Sequence, residues 1–358
     1  MGDMTSRIAG GVRRFGPLLL LAVPLALAAC HPNDPQNTFT GNGYVAQRLA
    51  DLFWTVFWWA VVVFILVQGL LLVVMIKFRR RSDADVPTQV HGNTRFEIGW
   101  TILPTLILVA IGVPGVQTLF ELEDPPSAPL TVEVVGHQWW WEFRYHTDWP
   151  DANENTTGRQ YGIQNVVTAT DMHIPVNVPI KVYVHSADTQ HSFWVPRLAG
   201  KTDLIPPRVN HMWFNAIDPG TYSAQCAELC GVQHAQMRFY VIAQPEAEFR
   251  TWVQQQQTAP VQPTGGAPQR GLEMITTGGC LACHTIQGTI AQGQIGPNLT
   301  HVASRSSLAG GILENTPENI SRWLHDPQAV KYGNNMKLPR PLTDDEVSDL
   351  VAYLETLR

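Results

Sequence analysis

Charged residues are scarce in this sequence: Asp, Glu, Lys and Arg together make up 15% of its 358 residues. Disordered chains are rich in charge and poor in apolar residues, whereas 45% of this chain is hydrophobic. The composition therefore indicates membrane-embedded and soluble domains rather than disorder. A basic run with interleaved aromatic residues is also lacking, and the formal net charge is only -6. Nothing indicates a nucleic-acid-binding protein.

Cysteine is rare as well, and its count of five is odd, which argues against a framework of disulfide bonds. Cys30 ends a Leu-Ala-Ala-Cys string, and Cys226 and Cys230 are separated by three residues. Cys280 and Cys283 stand in a Cys-x-x-Cys-His motif. Because each cysteine has another explanation, the count leaves none for a disulfide.

Residues 1–29 have the pattern of a secretory signal peptide. Arginines precede an apolar run from Pro17 to Ala29 that is too short to cross a bilayer. The Leu-Ala-Ala-Cys ending resembles the bacterial lipobox, in which the cysteine becomes the lipidated first residue of the mature protein. We therefore expect lipidation at Cys30, followed by an external segment at residues 30–51. An uncleaved anchor with an incidental cysteine is the alternative.

Two apolar stretches, residues 52–76 and 98–120, are long enough to span a membrane as helices. The basic cluster at residues 77–81 follows the first stretch directly, which predicts a cytoplasmic loop at residues 77–97. The sequence thus predicts a multidomain protein of the bacterial cell membrane with a two-helix transmembrane hairpin. Its soluble domains are expected on the periplasmic or extracellular side.

Two soluble domains are predicted after the hairpin. Short β-rich runs between Pro and Gly turns predict an all-β sandwich or barrel at residues 128–252. Residues 253–268 lack apolar periodicity and are predicted to form a linker. Helix-capping patterns at Thr316 and Thr343 predict a small all-α domain at residues 269–358.

A soft set of metal ligands is concentrated in the β-rich domain. Cys226, Cys230, His234 and Met237 lie within twelve residues, and His191 lies upstream. Thiolates, imidazoles and a thioether favour copper over hard cations. A structural zinc site of two cysteines and two histidines is the alternative, although a weak thioether ligand adds little for zinc.

These ligands and three further segments resemble the copper A subunit, subunit II, of haem-copper cytochrome c oxidases. The segments are Gly-His-Gln-Trp-Trp-Trp at 136–141, Gly-Lys-Thr-Asp-Leu-Ile-Pro at 200–206, and Phe-Glu-Ile-Gly-Trp-Thr-Ile-Leu-Pro at 96–104. The resemblance covers about residues 38–252 and implies a cupredoxin-like copper A domain.

The resemblance also implies a role for each ligand of a binuclear copper A centre. Cys226 and Cys230 are expected to bridge two copper ions through their sulfur atoms. The remaining implied ligands are His191, His234, Met237 and the backbone carbonyl of Glu228. The Glu228 side chain is further implied to help hold a magnesium ion shared with subunit I.

Two residues outside the metal set have roles implied by the same resemblance. Trp139 matches the tryptophan through which the family accepts electrons from cytochrome c, and an aromatic plug at the membrane interface is the alternative. Glu97 matches an acidic group near the mouth of a proton-uptake channel in subunit I. A helix-end carboxylate that reaches for water explains the position of Glu97 almost as well.

The motif Cys280-Leu-Ala-Cys283-His284 fits covalent attachment of one c-type haem, with His284 as an iron ligand. A redox-active Cys-x-x-Cys motif is the competing interpretation. Residues 269–358 resemble a class I cytochrome c, in which Met336 is the expected second axial ligand. The rivals for that position are His301, His325 and Met274.

Together, these features resemble subunit II of a caa-type oxidase, with a cytochrome c fused to its C-terminus. The donor is expected to be a cytochrome c or a quinol-oxidising complex. The resemblance implies that electrons pass from that donor to the haem, then to Trp139, copper A and subunit I, where oxygen is reduced to water and protons are pumped. Subunit III is a further expected partner.

Three other classes of protein share part of this pattern. A nitrous oxide reductase needs a large propeller domain that this chain is too short to hold, and a copper-delivery chaperone needs neither Met237 nor a haem domain. A copper A nitric oxide reductase shares the hairpin and the cupredoxin domain. The segment at residues 136–141 and the segment with Glu97 favour the oxygen-reducing oxidase.

Overall fold

The computed structural model describes residues 34–79, 82, 89, 91–125, 129–146 and 159–358. Cys30 and the predicted signal peptide lie outside the described residues. The α-helices are α1 (Tyr44–Lys77), α2 (Thr94–Glu121), α3 (Glu246–Gln256), α4 (Gly266–Thr277), α5 (Pro317–His325), α6 (Pro327–Val330) and α7 (Asp344–Leu354). The strands are β1 (Leu130–His137), β2 (Trp140–His146), β3 (Asn165–Ala169), β4 (Asp171–Pro175), β5 (Ile180–Ser186), β6 (His191–Trp194), β7 (Lys201–Leu204), β8 (Asn210–Phe214), β9 (Gly220–Cys226), β10 (Arg238–Gln244), β11 (Ser307–Leu308) and β12 (Leu313–Glu314).

Helices α1 and α2 are long and apolar enough to cross a membrane, with mean hydropathy of 2.8 and 1.9 in their most apolar windows. Helix α1 begins at Tyr44, earlier than the predicted span, because its first turns pack on the β domain. Val45, Ala46 and Ala50 are buried there, and the Ala46 amide donates to the Leu198 carbonyl at 3.2 Å.

The β domain is a sandwich of two five-stranded sheets, in the orders β3-β2-β1-β5-β8 and β4-β10-β9-β6-β7. Alternating residues point into the space between the sheets, as a half-buried strand requires. Trp141, Phe143, Phe193 and Phe239 form the centre of this core and are fully buried. The cupredoxin-like β fold predicted from the sequence is confirmed.

Strands β9 and β10 form the hairpin that presents the predicted copper ligands. They pair antiparallel with Gln225 opposite Arg238, so the residues between them form the connecting loop. Strand β6 pairs with β9 and places Phe193 opposite Cys226. This register brings His191, at the start of β6, to the same end of the sandwich.

The C-terminal domain is helical, as predicted, and its first and last long helices cross at Gly271. A Cβ atom on Gly271 would lie 2.2 Å from the Asp349 carbonyl oxygen, so only glycine allows α4 and α7 to approach this closely. The predicted cap of α7 is present, since the Thr343 hydroxyl accepts from the Glu346 amide at 3.3 Å.

The segment between the two soluble domains is shorter than the predicted linker of residues 253–268. Helix α3 continues to Gln256 because Phe249, Trp252 and Val253 bury their side chains in the β-domain core. Helix α4 begins at Gly266, which leaves residues 257–265 without regular structure. Tertiary packing thus continues α3 over the first four residues of the predicted linker, and the domain boundaries stay predictions.

Candidate metal centre and haem site

The loop between β9 and β10 gathers the predicted metal ligands around two cysteine sulfurs. The Sγ atoms of Cys226 and Cys230 lie 3.7 Å apart. The His191 Nδ1 atom lies 3.9 Å from the Cys226 sulfur, and the His234 Nδ1 atom lies 3.8 Å from the Cys230 sulfur. The Met237 Sδ atom lies 3.8 Å from the Cys230 sulfur. These donor atoms therefore lie close enough together to hold metal ions at this site.

The backbone of the loop is closed by hydrogen bonds that fix the positions of the sulfurs. The Cys226 amide donates to the Met237 carbonyl at 2.9 Å, which joins the two ends of the loop. The Glu228 carbonyl oxygen, which is a predicted copper ligand, lies 3.2 Å from the Cys226 sulfur. A short 3-10 turn at His234–Gln236 directs His234 back toward Cys230.

Asp188 orients the His191 ring. The Nε2 atom of His191 lies 2.8 Å from the Asp188 Oδ1 atom, so the Nδ1 atom faces the sulfurs. A carboxylate behind a metal-binding histidine fixes both its tautomer and its ring orientation. Burial opposes ionisation of Asp188, but hydrogen bonds from His191 and from the Gln138 and Thr189 amides outweigh it and lower the Asp188 pKa.

The donor set fits a copper centre better than a closed zinc site. Among the described residues, the ligand atoms of His191, Cys226 and Cys230 form a buried group within 4.8 Å of one another. Met237 is fully buried, with its thioether beside Cys230. A buried thioether at this position is a feature of copper sites for electron transfer, whereas zinc gains little from it.

The three consecutive tryptophans occupy different places. The Trp139 indole Nε1 donates to the Cys230 carbonyl at 3.0 Å, and the side chain is 9% exposed. Trp140 stacks on His137 with ring centroids 4.1 Å apart, on the outer face of the sheet. Trp141 lies in the core of the sandwich. Trp139 is thus the one of the three whose indole hydrogen-bonds to the metal loop.

Gly231 allows Trp139 to lie against this loop. Its φ angle is +116°, a conformation that side chains disfavour, and a Cβ atom there would lie 3.0 Å from the Trp139 ring. The Gln138 side chain also donates to the Cys230 carbonyl, at 2.8 Å.

The Cys-x-x-Cys-His motif begins in a 3-10 turn, Gly279–Ala282, and Cys283 and His284 follow this turn. The His284 Nδ1 atom lies 2.8 Å from the Pro297 carbonyl oxygen. Donation to that carbonyl leaves Nε2 as the free lone pair for iron. Burial lowers the His284 pKa, which favours the neutral, ligating ring. The residues therefore fit attachment of a haem at Cys280 and Cys283.

Met336 and its rivals lie in different surroundings. Met336 is half-buried against the core of the helical domain, with its Sδ atom 3.1 Å from the Trp323 indole nitrogen. His301 is buried within the helical domain. His325 is exposed and lies 3.7 Å from Asp344, which suits an axial ligand less well. The assignment of Met336 stays a prediction.

Similarity to known proteins agrees with this arrangement. Residues 130–244 match the family described as cytochrome c oxidase subunit II, periplasmic domain, residues 40–118 match its transmembrane domain, and residues 269–358 match the cytochrome c family. A cytochrome c oxidase subunit 2 of Alkalihalophilus pseudofirmus is 34% identical over 352 residues, which cover 96% of this chain and 97% of that protein. The chain belongs to the cytochrome c oxidase subunit II family.

A second relative of similar length supports the same assignment. A cytochrome c oxidase subunit 2 of Bacillus subtilis is 31% identical, with 95% of this chain and 97% of that protein covered. The crystal structure of the periplasmic domain of subunit II from Bradyrhizobium japonicum is 33% identical and covers 37% of this chain and 95% of that chain. Its TM-score of 0.29 adds no argument about the fold.

Membership of the family means that the chain is part of a haem-copper oxidoreductase complex. It implies a subunit I partner and a membrane protein with a periplasmic domain. The family also indicates copper A, and the cytochrome c domain indicates haem c.

Glu97 and the Glu228 side chain remain outside the cluster of ligands. Glu97 lies in the first turn of α2 and is exposed. The Glu228 carboxylate is half-buried and is not part of the ligand group of the described residues. The channel role of Glu97 and the magnesium role of Glu228 stay predictions.

Sequence reasoning missed Gln138, Asp188 and Lys331. Asp188 stands three residues before His191, and this spacing could have indicated a carboxylate behind a metal-binding histidine. Lys331 carries no such local signal, because its partners lie far away in the chain.

Proposed function

We propose that the chain is the electron-accepting subunit of its oxidase. Electrons from a cytochrome c or a quinol-oxidising complex reach the C-terminal domain, cross at Trp139 to the Cys226–Cys230 site, and leave for the haem of subunit I. There, oxygen is reduced to water and protons are pumped. The observation that carries this proposal is the position of Trp139, whose indole contacts the metal loop and whose carbonyl contacts the cytochrome domain.

The groups expected at these sites, haem c and binuclear copper A, supply one-electron chemistry when they are bound. Cys280 and Cys283 would attach the haem covalently, and His284 and Met336 would hold its iron. The copper ligands proposed are His191, Cys226, Cys230, His234, Met237 and the Glu228 carbonyl. A methionine axial ligand raises the haem potential, which suits a donor to an oxidase.

The residues around the metal loop keep its geometry constant. Asp188 fixes the His191 ring, and the Gln138 and Trp139 side chains both donate to the Cys230 carbonyl. These hydrogen bonds are set before any electron arrives, so little rearrangement is needed when the charge of the site changes. A small reorganisation is what a relay between redox partners requires.

The proposal also has finer parts. They comprise signal cleavage and lipidation at Cys30, a proton-uptake role for Glu97, and a magnesium ion held with help from the Glu228 carboxylate. Contact with subunit III and location in the cell membrane of a bacterium belong with them.

Optical and electron paramagnetic resonance spectra of the purified chain, with copper, zinc and haem quantified, test the proposal. We expect one covalent haem, and copper whose hyperfine pattern shows one unpaired electron shared by two ions. Cys226→Ser should remove the copper signal and leave the haem, and Cys280→Ser should disturb the haem and leave the copper. A single copper ion, zinc, or no haem in the unmodified chain would contradict the proposed function.

A further inference from the structure

The cytochrome domain contacts the copper-binding domain through two of its segments, residues 306–311 and 331–335. The hydrogen bonds that join the domains include Arg238 N to Gly310 O at 2.9 Å, Asn335 Nδ2 to Gln138 O at 2.9 Å, and Ser306 Oγ to Asp171 Oδ1 at 2.8 Å. Most of these bonds involve backbone atoms, whose positions are set by the fold. Such contacts favour one fixed orientation of the cytochrome domain on the copper-binding domain.

Lys331 lies at the centre of this interface. Its Nζ atom donates to the carbonyl oxygens of Trp139 at 2.8 Å, Gln236 at 2.9 Å and Ala309 at 2.9 Å. Two of these acceptors belong to the copper-binding domain and one to the cytochrome domain. Lys331 is only 2% exposed, and lysine is rarely buried so deeply unless its donors are satisfied.

Two glycines beside Lys331 are suited to the same contact. A Cβ atom on Gly310 would lie 2.5 Å from the Trp139 carbonyl oxygen, and one on Gly311 would lie 2.8 Å from the Arg238 backbone. Their φ angles are +73° and +82°, which glycine adopts readily. The copper-binding domain therefore leaves no room for side chains at these positions of the cytochrome domain.

We propose that Lys331 is a positioning residue that fixes the cytochrome domain on the copper-binding domain, with Trp139 enclosed between them. Electron transfer then proceeds within a permanent contact and needs no repeated docking of a tethered domain. This inference rests on the proposed function. The transfer moves one electron: the haem is oxidised by one electron, the copper centre is reduced by one, and no bond is made or broken.

The test uses the full chain in its assembled oxidase, loaded with haem and copper. Lys331→Met keeps much of the side-chain length but removes all three donated hydrogen bonds. We expect deuterium exchange of the Arg238 amide to rise by about tenfold or more, because this amide bonds across the interface. Arg322→Met, which removes an exposed positive charge from the same domain, should leave that exchange unchanged.

A second readout is the rate of haem-to-copper transfer after rapid photochemical reduction of the haem. Lys331→Met should slow this step by about tenfold or more, since placement of reacting groups carries rate factors of this size. The haem and copper spectra and the haem potential should stay as in the unmodified protein. Unchanged spectra would show that the slower transfer comes from displacement of the cytochrome domain and not from damage to the haem or copper site.

A matched pair of glycine variants tests the interface independently of Lys331. Gly311 and Gly288 both have a φ angle of +82°. A Cβ atom on Gly288 would lie 3.6 Å from the Gln262 side chain, an ordinary contact, whereas one on Gly311 would meet the Arg238 backbone. Gly311→Ala should raise exchange at Arg238 and slow transfer, and Gly288→Ala should do neither.

The outcomes separate this inference from the function on which it rests. If the unmodified chain transfers electrons from haem to copper but Lys331→Met and Gly311→Ala change neither exchange nor rate, the positioning role is overturned. If the unmodified chain shows no such transfer, the proposed function itself fails. If Lys331→Met loses haem or copper, the glycine variants test the inference instead. Faster exchange and slower transfer in Gly311→Ala but not in Gly288→Ala support it, and no difference between the two variants overturns it.

Discussion

Trp139 and Cys230, which are separated by ninety residues of sequence, are joined by a hydrogen bond of 3.0 Å from the indole nitrogen to the backbone carbonyl. The carbonyl belongs to the same residue whose sulfur is proposed to bridge copper ions. One hydrogen bond and the backbone of Cys230 therefore connect the Trp139 indole to the proposed copper-binding sulfur. Its neighbour Trp140 stacks on His137 instead.

Trp139→Phe should slow electron transfer into the copper site, because it removes the indole and its hydrogen bond to Cys230. Copper content and the copper spectrum should stay unchanged, since no proposed ligand is altered. The transfer rate is followed optically after rapid reduction of the haem. Trp140→Phe is the matched control and should transfer electrons at the unmodified rate. Equal slowing by both substitutions would count against a special role for Trp139.

Met336→Ala should open the haem iron to exogenous ligands such as carbon monoxide, because the predicted axial sulfur is lost. The measurement is the optical spectrum of the reduced protein with and without carbon monoxide. His325→Ala is the control, since His325 is exposed and lies near Asp344. An unchanged reduced spectrum in Met336→Ala would move the axial assignment to His301, or to His325 if His325→Ala alters the spectrum.

Gly271→Ala should destabilise the cytochrome domain by about 1–3 kcal/mol, the usual cost of overpacking a core. The added methyl group would lie 2.2 Å from the Asp349 carbonyl oxygen and 2.7 Å from the Tyr353 Cβ atom. The expected result is a lower melting temperature, monitored by circular dichroism in the haem band. In the control Gly265→Ala, the added methyl group would have open space around it, so the melting temperature should stay unchanged.

The stability of the β domain should fall as the pH drops from 6.5 to about 4, because of His173. This residue is buried between Trp252, whose ring lies 4.3 Å away, and Gln244, and burial lowers its pKa from 6.5 to about 4. Between these values the unfolded chain binds a proton that the folded chain does not, so folding loses stability toward acid. The full loss is about 3 kcal/mol.

His173→Phe tests this pH dependence, because phenylalanine keeps a ring against Trp252 but does not titrate. The melting temperature of the full chain is measured at several pH values between 4 and 7.5. The drop toward acid should be smaller in the variant than in the unmodified protein. Parallel curves for the two proteins would show that His173 does not contribute.

The sequence predicted the two apolar helices, the β-rich and helical domains, and the ligand residues of the metal loop. These features depend on residues close together in the chain, such as the hairpin from Cys226 to Met237. Only His191 had to be brought from a distance; its residue type put it in the soft ligand set, and the resemblance to a known family implied its role. The sequence pattern did not indicate that α3 continues to Gln256, because the burial of Trp252 and Val253 that holds this helix depends on the fold.

Residue types and their spacing along the chain thus determined which chemistry this protein carries, since ligand identity and local turns are written in short segments. Only the tertiary structure showed that the Trp139 indole donates a hydrogen bond to the metal loop while Trp140 stacks on His137. The two side chains are chemically identical and adjacent in sequence, so their contacts depend on the fold around them. The tertiary structure also decided the contact of Lys331 with Trp139, residues 192 positions apart. A bond over that separation depends on how two domains pack, and no local pattern encodes it.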